Sequence, residues 1–280
     1  MTFSIVACDL KEKTWGVAVA SKFPAVGAVV PWASAEAGAV ATQSFVNTTY
    51  GPHGLEMMSQ GLSAADTLAK LLMDDPEREL RQVGLVDLKG NAASFTGSGC
   101  FPWAGSVTGK GYAIQGNVLA GEKVVIAMKN KFLATKGDLP SRLYAALLAG
   151  DRAGGDKRGR QSAAIYVVKP HGGYAGYLDR WIDYRVDDHE APVPRLGELI
   201  DLHRLYFDKS PESDRLMLKG KALEQISAIL KKQGYFKKNK TFANAFYEMI
   251  GNENFEERAD PTGQWIDKPV MKYLIKKLGR

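Results

Sequence analysis

Thr2-Phe3-Ser4-Ile5-Val6-Ala7, directly after Met1, is the stretch that most constrains the architecture. Thr2, Ser4 and Val6 alternate with Phe3, Ile5 and Ala7, the two-residue period of a half-buried β-strand. Thr2 and Ser4 then share one face, roughly 7 Å apart at the rise of an extended chain. Thr2 is also small enough for a preceding initiator methionine to be trimmed. Trimming would leave a threonine that carries both a hydroxyl and a free α-amine. Such an amine titrates near ~7.7–8.0, so close to neutral pH it can take the hydroxyl proton where a lysine could not. Nucleophile and base would sit in one residue, with no histidine required. Many chains that begin Met-Thr simply enter a strand, so the catalytic reading depends on the rest of the chain.

Past this strand, Asp9 to Thr14 is a polar turn and Trp15 to Ser21 a second strand, which makes a hairpin with the first. Gly27 to Trp32 and Gly38 to Ser44 read as two more strands, rich in Ala and Gly and suited to close layer packing. Helices come next. Pro52 fits a first helical turn, and Ser63-Ala64-Ala65-Asp66 is a capping-box-like start to a helix that Asp74-Asp75-Pro76 ends. Val83 to Asp87, Ala92 to Phe95 and Gly111 to Gly116 are strands, with Lys89-Gly90-Asn91 a turn between the first two. Two helices, about Glu122 to Ala134 and Pro140 to Leu148, precede strands from Gln161 to Val168 and Trp181 to Val186, then a helix from about Pro194 to Phe207. Runs of strands separated by runs of helices indicate an α+β fold with two sheets between helical layers, not a βαβ repeat.

Several runs resemble a microbial family catalogued as domain of unknown function 1028, which is placed among the N-terminal-nucleophile (Ntn) hydrolases. They are Thr2 to Ala7, Gly16 to Ser21, Val26 to Trp32, Gly61 to Ala64, Phe95 to Ser98, Gln115-Gly116-Asn117, Gly159 to Ala164 and Arg185 to His189. The resemblance covers Thr2 to about Asp188 and implies a four-layer αββα sandwich with the nucleophile at the head of a strand. Ser210-Pro211-Glu212-Ser213-Asp214 then reads as a linker between residues 1–209 and 210–280. Beyond it, Leu223, Ile226, Ile229 and Leu230 recur at helical spacing, as do Phe242, Phe246 and Met249, and Val270, Leu274 and Leu278. This small all-α tail resembles a peptidoglycan-binding module through Leu223 to Ile226, Leu230 to Tyr235 and the Trp265 segment.

Composition narrows the function classes. The formal charge of +6 is carried mostly by the tail, which from Ser210 has 14 Lys and Arg against 9 Asp and Glu. Lys231, Lys232, Lys237, Lys238 and Lys240 could touch an anionic polymer or merely solvate short helices. Cys8 and Cys100 are too few for a disulfide framework and read as core residues. Neither a leader nor a long apolar run is visible, so the expectation is a cytoplasmic protein without membrane or nucleic-acid partners. No His/Cys spacing fits zinc and no Gly-rich run ends in Lys-Ser or Lys-Thr, so neither a metal nor a cofactor is expected. Self-association is compatible with the sequence.

The catalytic candidates are Thr2, Gln43 and Asn117, the last two being strand-end amides able to hold an oxyanion or the terminal amine. Ser21, Ser44 and Asn47 stand at or after strand ends and are candidates for the substrate site. Hydroxyls and amides there also cap turns, their commoner role. Arg158, Arg160 and Gln161 form a Gly-flanked basic loop that could hold a substrate carboxylate, or simply a solvated loop. Asp187, Asp188 and His189 are candidates for orienting the amine or for a structural role. Consecutive strand residues point to opposite faces, which argues against a shared metal ion. The expected function is an amidohydrolase that cleaves a small amide or peptide-like substrate through an acyl-enzyme on Thr2. A second reading, from another class, is a non-catalytic binding scaffold with a tail for peptidoglycan or another anionic polymer. It is motivated by the lack of an evident charged partner for the terminus, Lys22 and Asp9 being the nearest in sequence.

Overall fold

β1 (Thr2–Asp9) is buried on both faces, not one, because it lies in the middle of a sheet that is itself covered on both sides. The structure is a computed structural model that describes residues 2–208, 210–236 and 239–279. Met1, Lys237 and Lys238 lie outside the described residues. After β1 come β2 (Thr14–Ser21), β3 (Pro31–Ser34), β4 (Gly38–Ser44), α1 (Tyr50–Ser59) and α2 (Ala64–Met73). Then come β5 (Arg81–Asp87), β6 (Ala92–Thr96), β7 (Gly105–Gly109) and β8 (Tyr112–Asn117), with α3 (Lys123–Ala134) and α4 (Leu139–Arg152). β9 (Ser162–Val168), β10 (Arg180–Val186) and α5 (Pro192–Phe207) complete the larger part.

Two antiparallel sheets result, one in the order β10-β9-β2-β1-β8-β7 and the other β3-β4-β5-β6. Alternate side chains of β1 go to different cores. Phe3 and Ile5 join Met128 and Phe132 of α3, Leu143 and Leu147 of α4, and Leu196 of α5. Val6 and Cys8 join Val17 and Val19 and, from the other sheet, Ala39, Ala41 and Val86. A third cluster packs Val40, Val83 and Leu85 against Tyr50 and Met58 of α1 and Leu68 and Leu71 of α2. Each fully buried large aliphatic or aromatic side chain contributes roughly 1.5–3 kcal/mol, so these clusters hold the layers together. Small side chains let the two sheets approach: a Cβ added to Gly84 of β5 would lie 2.2 Å from Gln115 Oε1 of β8.

Side-chain caps fix two helix starts, the one at Ser63 as expected. Ser63 caps α2 by accepting from the Asp66 amide at 3.2 Å, and Asp138 caps α4 by accepting from the Ser141 amide at 2.9 Å. Other expectations change. The segment expected as a strand from Gly27 is a 3₁₀ turn over Val26–Ala28, entered through Ala25 at a left-handed φ of 50°, and β3 starts only at Pro31. β7 carries no clear sequence signal because it is short, glycine-bounded and at a sheet edge. α4 runs on to Arg152, past its expected end, and so includes the buried Asp151.

The chain divides into two compact units, Met1–Ile200 and Asp201–Arg280, earlier than the linker at Ser210 suggested. The division falls inside α5 because Leu205 and Tyr206 already pack on the core of the second unit. There the chain forms β11 (Arg215–Met217), α6 (Lys221–Lys232), α7 (Phe242–Asn252), β12 (Trp265–Asp267) and α8 (Lys268–Leu278). The helices supply most of its core, with Ile226, Leu230, Phe246, Met249, Val270 and Leu274 all buried. β11 and β12 add a short antiparallel pair. Arg258, almost fully buried, pairs with Asp267 at 2.6 Å and donates to the carbonyls of Arg204 and Leu205, which closes the C-terminal end of α5.

Candidate functional site

Antiparallel pairing sets Thr2 directly opposite Ser21 on one side and Asn117 on the other, and Ser21 opposite Ser162. Ser162, Ser21, Thr2 and Asn117 thus form one row of hydroxyls and an amide across the starts of β9 and β1 and the ends of β2 and β8. Thr2 Oγ1 lies 3.1 Å from Ser21 Oγ. From the facing sheet, Gln43 of β4 donates its amide nitrogen to the Thr2 carbonyl at 3.3 Å and accepts from Ser4 Oγ at 2.7 Å. The three catalytic candidates are therefore gathered at one place. Thr2 is 4 % exposed, Gln43 1 % and Asn117 0 %.

Gln82, opposite Gln43 on β5 and fully buried, organises this group. Its amide nitrogen faces only acceptors: the Gly116 carbonyl at 2.8 Å, Thr96 Oγ1 at 2.9 Å and the Gly105 carbonyl at 3.3 Å. That fixes its amide orientation, so its Oε1 must accept, and it does so from Gln43 Nε2 and Asn117 Nδ2, each at 2.8 Å. Asn117 in turn has its Nδ2 committed, and its Oδ1 is buried with no partner among the described residues. Gln115 donates to Ser4 Oγ at 2.7 Å, and its Oε1 is left in the same condition. Buried acceptors without donors are uncommon and costly, ~1–3 kcal/mol each, and they cluster where a structure is prepared for something else. Sequence reading does not single out Gln82. A glutamine heading an apolar strand, Arg81-Gln82-Val83, is the available signal.

A cavity of about 400 Å³ adjoins the β2 and β9 members of the row, lined by Ser21, Ser162, Phe3, Asp151, Asp156 and Arg160 among others but not by Thr2 itself. Arg160 is half exposed and held through Nε by the buried Asp151 at 2.7 Å, which raises the guanidinium's already high pKa. Its two terminal nitrogens have no partner among the described residues, so the planar fork remains available to a ligand. Arg158 differs. Its Nε and Nη2 are taken by the buried Asp156 at 3.1 and 2.7 Å, and it does not line the cavity. Gln161 donates its backbone amide to the Ser21 carbonyl at 3.1 Å, and so ties the basic loop to the row.

Other candidates lie elsewhere. Asp187, Asp188 and His189 come after β10 on the surface: Asp188 accepts from Gln161 Nε2 at 3.2 Å, and the His189 amide donates to the Gln161 carbonyl at 2.8 Å. They fix Gln161 and make no hydrogen bond to Thr2 among the described residues. Asn47 donates to Asp75 at 3.2 Å and lines a separate cavity of about 680 Å³ with Tyr50 and His53, away from the row. Ser44 ends β4 at a left-handed φ of 74°, opposite Arg81, and makes no hydrogen bond to Thr2 among the described residues. Asp9 is at the far end of β1, beside Arg142, and does not serve Thr2. Lys22 donates from its backbone to Asp156 at 3.0 Å. Burial pushes the Cys8 thiol up to about 12, with Asp87 and Asp9 adding to the shift, so Cys8 is a core residue and not a nucleophile.

Among known proteins, residues 2–196 match the model of a family of unknown function, DUF1028, and residues 206–274 match a model described as "Putative peptidoglycan binding domain". A solved structure, protein SPO2555 from Silicibacter pomeroyi, of the same DUF1028 model, is 32 % identical with a TM-score of 0.67. The similarity covers 76 % of this chain and 88 % of that one. No curated protein matches. With a family model spanning well over half its length and a similar structure from the same family, the chain belongs to the DUF1028 family and carries a peptidoglycan-binding-like domain at its C-terminal end.

Proposed function

We propose that the larger unit is a four-layer αββα sandwich of the Ntn-hydrolase type that cleaves a small amide or peptide-like bond with Thr2. The observation that carries this reading is the row Ser21–Thr2–Asn117 with the Gln43–Gln82 pair above it. The hydroxyl at the head of a central strand meets Ser21 Oγ, Gln43 holds the Thr2 carbonyl, and the strand partner Asn117 carries an unpaired buried acceptor, Oδ1. Removal of the residue before Thr2 would free an α-amine on the residue paired with Asn117. Thr2 Oγ1 then attacks the substrate carbonyl carbon while the amine takes the hydroxyl proton. The carbon–nitrogen bond breaks as the amine passes that proton to the departing nitrogen, leaving an ester on Oγ1. A water deprotonated by the same amine attacks the ester, the acid departs and Oγ1 regains its proton. Gln43 and Asn117 act as positioning residues, and Ser21 as a donor to Oγ1. Thr2→Ala should lower amide hydrolysis by roughly a thousandfold or more while leaving the fold intact. Equal hydrolysis by the two proteins across an amide library would contradict it.

A second reading is a non-catalytic scaffold whose tail binds peptidoglycan fragments. It is favoured by the neutrality of the groups that hydrogen-bond Thr2, the Ser21 hydroxyl and the Gln43 amide, and by the match of residues 206–274. Sedimentation of residues 201–280 with purified peptidoglycan, with Lys231→Glu and Lys232→Glu as controls, separates recognition from charge adhesion. Among the described residues no helix is long and apolar enough to cross a membrane.

A further inference from the structure

Phe45 and Phe101 are 48 % and 53 % exposed, yet their rings pack against each other with centroids 5.9 Å apart and a 51° tilt. Both are tied closely to the Thr2 row. Phe45 comes two residues after Gln43, which binds the Thr2 carbonyl. The Phe101 carbonyl accepts from the Val118 amide at 2.9 Å, and Val118 directly succeeds Asn117, the residue opposite Thr2. Their backbones are fixed. The Phe45 amide donates to Leu80 and its carbonyl accepts from Arg81 at 2.7 Å, while Lys157 holds the Pro102 carbonyl at 3.0 Å and Leu119 donates to Trp103 at 3.0 Å. Val118 itself, β-branched and buried, is held at a left-handed φ of 52°. Such a residue persists only where its surroundings over-determine it.

Strand order places this pair relative to the charged cavity. Thr2 lies on β1, with β2 and β9 on one flank carrying Ser21 and the Arg160 loop, and β8 and β7 on the other flank beside Phe101. An exposed, preorganised aromatic pair thus stands on one flank of the strand that carries Thr2 and an open guanidinium fork on the other. We infer that Phe45 and Phe101 form an apolar subsite. The substrate class is then an N-acyl amino acid or dipeptide-like amide, with an aromatic or branched apolar group on one side of the scissile bond and a carboxylate on the other. This rests on the reading of Thr2 as the reacting centre. The subsite itself needs no turnover to be observed.

The test is calorimetric titration of the full chain bearing Thr2→Ala with N-phenylacetylglycine and with N-acetylglycine. The first should bind about tenfold more tightly, and the added changes Phe45→Ala and Phe101→Ala should remove that advantage while leaving N-acetylglycine affinity as it was. Thermal melting of each variant checks that the half-exposed rings are not needed for folding. Equal affinity of the two probes, binding of neither, or an advantage that survives both changes would overturn the inference. Failure of the Thr2 reading looks different: a chain beginning at Thr2 that prefers the phenylacetyl probe yet cleaves no amide keeps the subsite and loses the nucleophile.

Discussion

Gln82 shows how much one side chain can decide. Its three acceptors on one end and two donors on the other set the amide orientations of Gln43 and Asn117, and with them which atoms face Thr2. Gln82→Leu should cost roughly 2–4 kcal/mol by leaving several buried groups unpaired, and should lower turnover beyond what the loss of folded protein explains. Circular-dichroism melts beside rates normalised to folded protein would check this, and an unchanged melting temperature would refute it. The two arginines of the basic loop separate in the same way. Arg160→Ala should weaken turnover of a carboxylate-bearing substrate far more than that of its neutral amide, since only its fork is open to the cavity. Arg158→Ala should act instead on stability, at a cost of roughly 1–3 kcal/mol, because Asp156 would stay buried without its cationic partner and keep only the backbone amides of Lys22 and residue 158. Thr2, Asn117 and Gln43, polar residues near strand ends, and Arg160, in the basic loop before β9, could be marked as candidates from the sequence. Gln82 and Ser162 could not, since their importance comes from which strand faces which.

The elements were more legible than their partners. Alternation and turn chemistry marked β1, β2, β4, β5 and β8, and the cap Ser63 marked the start of α2. What periodicity could not reveal was that β1 is covered on both faces, or that Asn47 belongs to the α1–β5 junction instead of the Thr2 row. At that junction Asp75 accepts from Arg81 Nε at 2.9 Å, Tyr50 at 2.9 Å and Asn47 at 3.2 Å. Arg81 above all, with Asn47 and Tyr50 adding, outweighs burial and holds the Asp75 carboxyl well below the usual carboxylate range. Because the folded pKa is depressed, the stability it contributes is fully present above the unfolded value of ~3.9 and is lost as pH falls from there through the folded pKa. Asp75→Asn should therefore lower stability at neutral pH by roughly 3 kcal/mol and flatten its decline below pH ~4. Urea unfolding at neutral and at acid pH measures both, and an equally steep acid decline in the variant would count against Asp75. Between the sheets, Gly84→Ala should destabilise by ~1–3 kcal/mol, since the new methyl would meet the Gln115 amide that supports Ser4. A melting temperature matching wild type would show that the sheets can yield there.

For the molecule as a whole, the two units were legible as a change in composition, but the cut was not. The Ser210 linker looks like a boundary, whereas Leu205 and Tyr206 already serve the second core. A chain ending at Ile200 should melt cooperatively, and one ending at Asp208 should carry exposed apolar side chains and aggregate more readily in light scattering. The opposite ranking would put the boundary back at the linker. Catalysis by Thr2 requires above all a free amine on that residue. Intact-mass measurement of the whole protein, purified from its natural host, tests that most directly. A mass that begins at Thr2 is the predicted result, and a mass that retains Met1 or any other residue before Thr2 would contradict the mechanism.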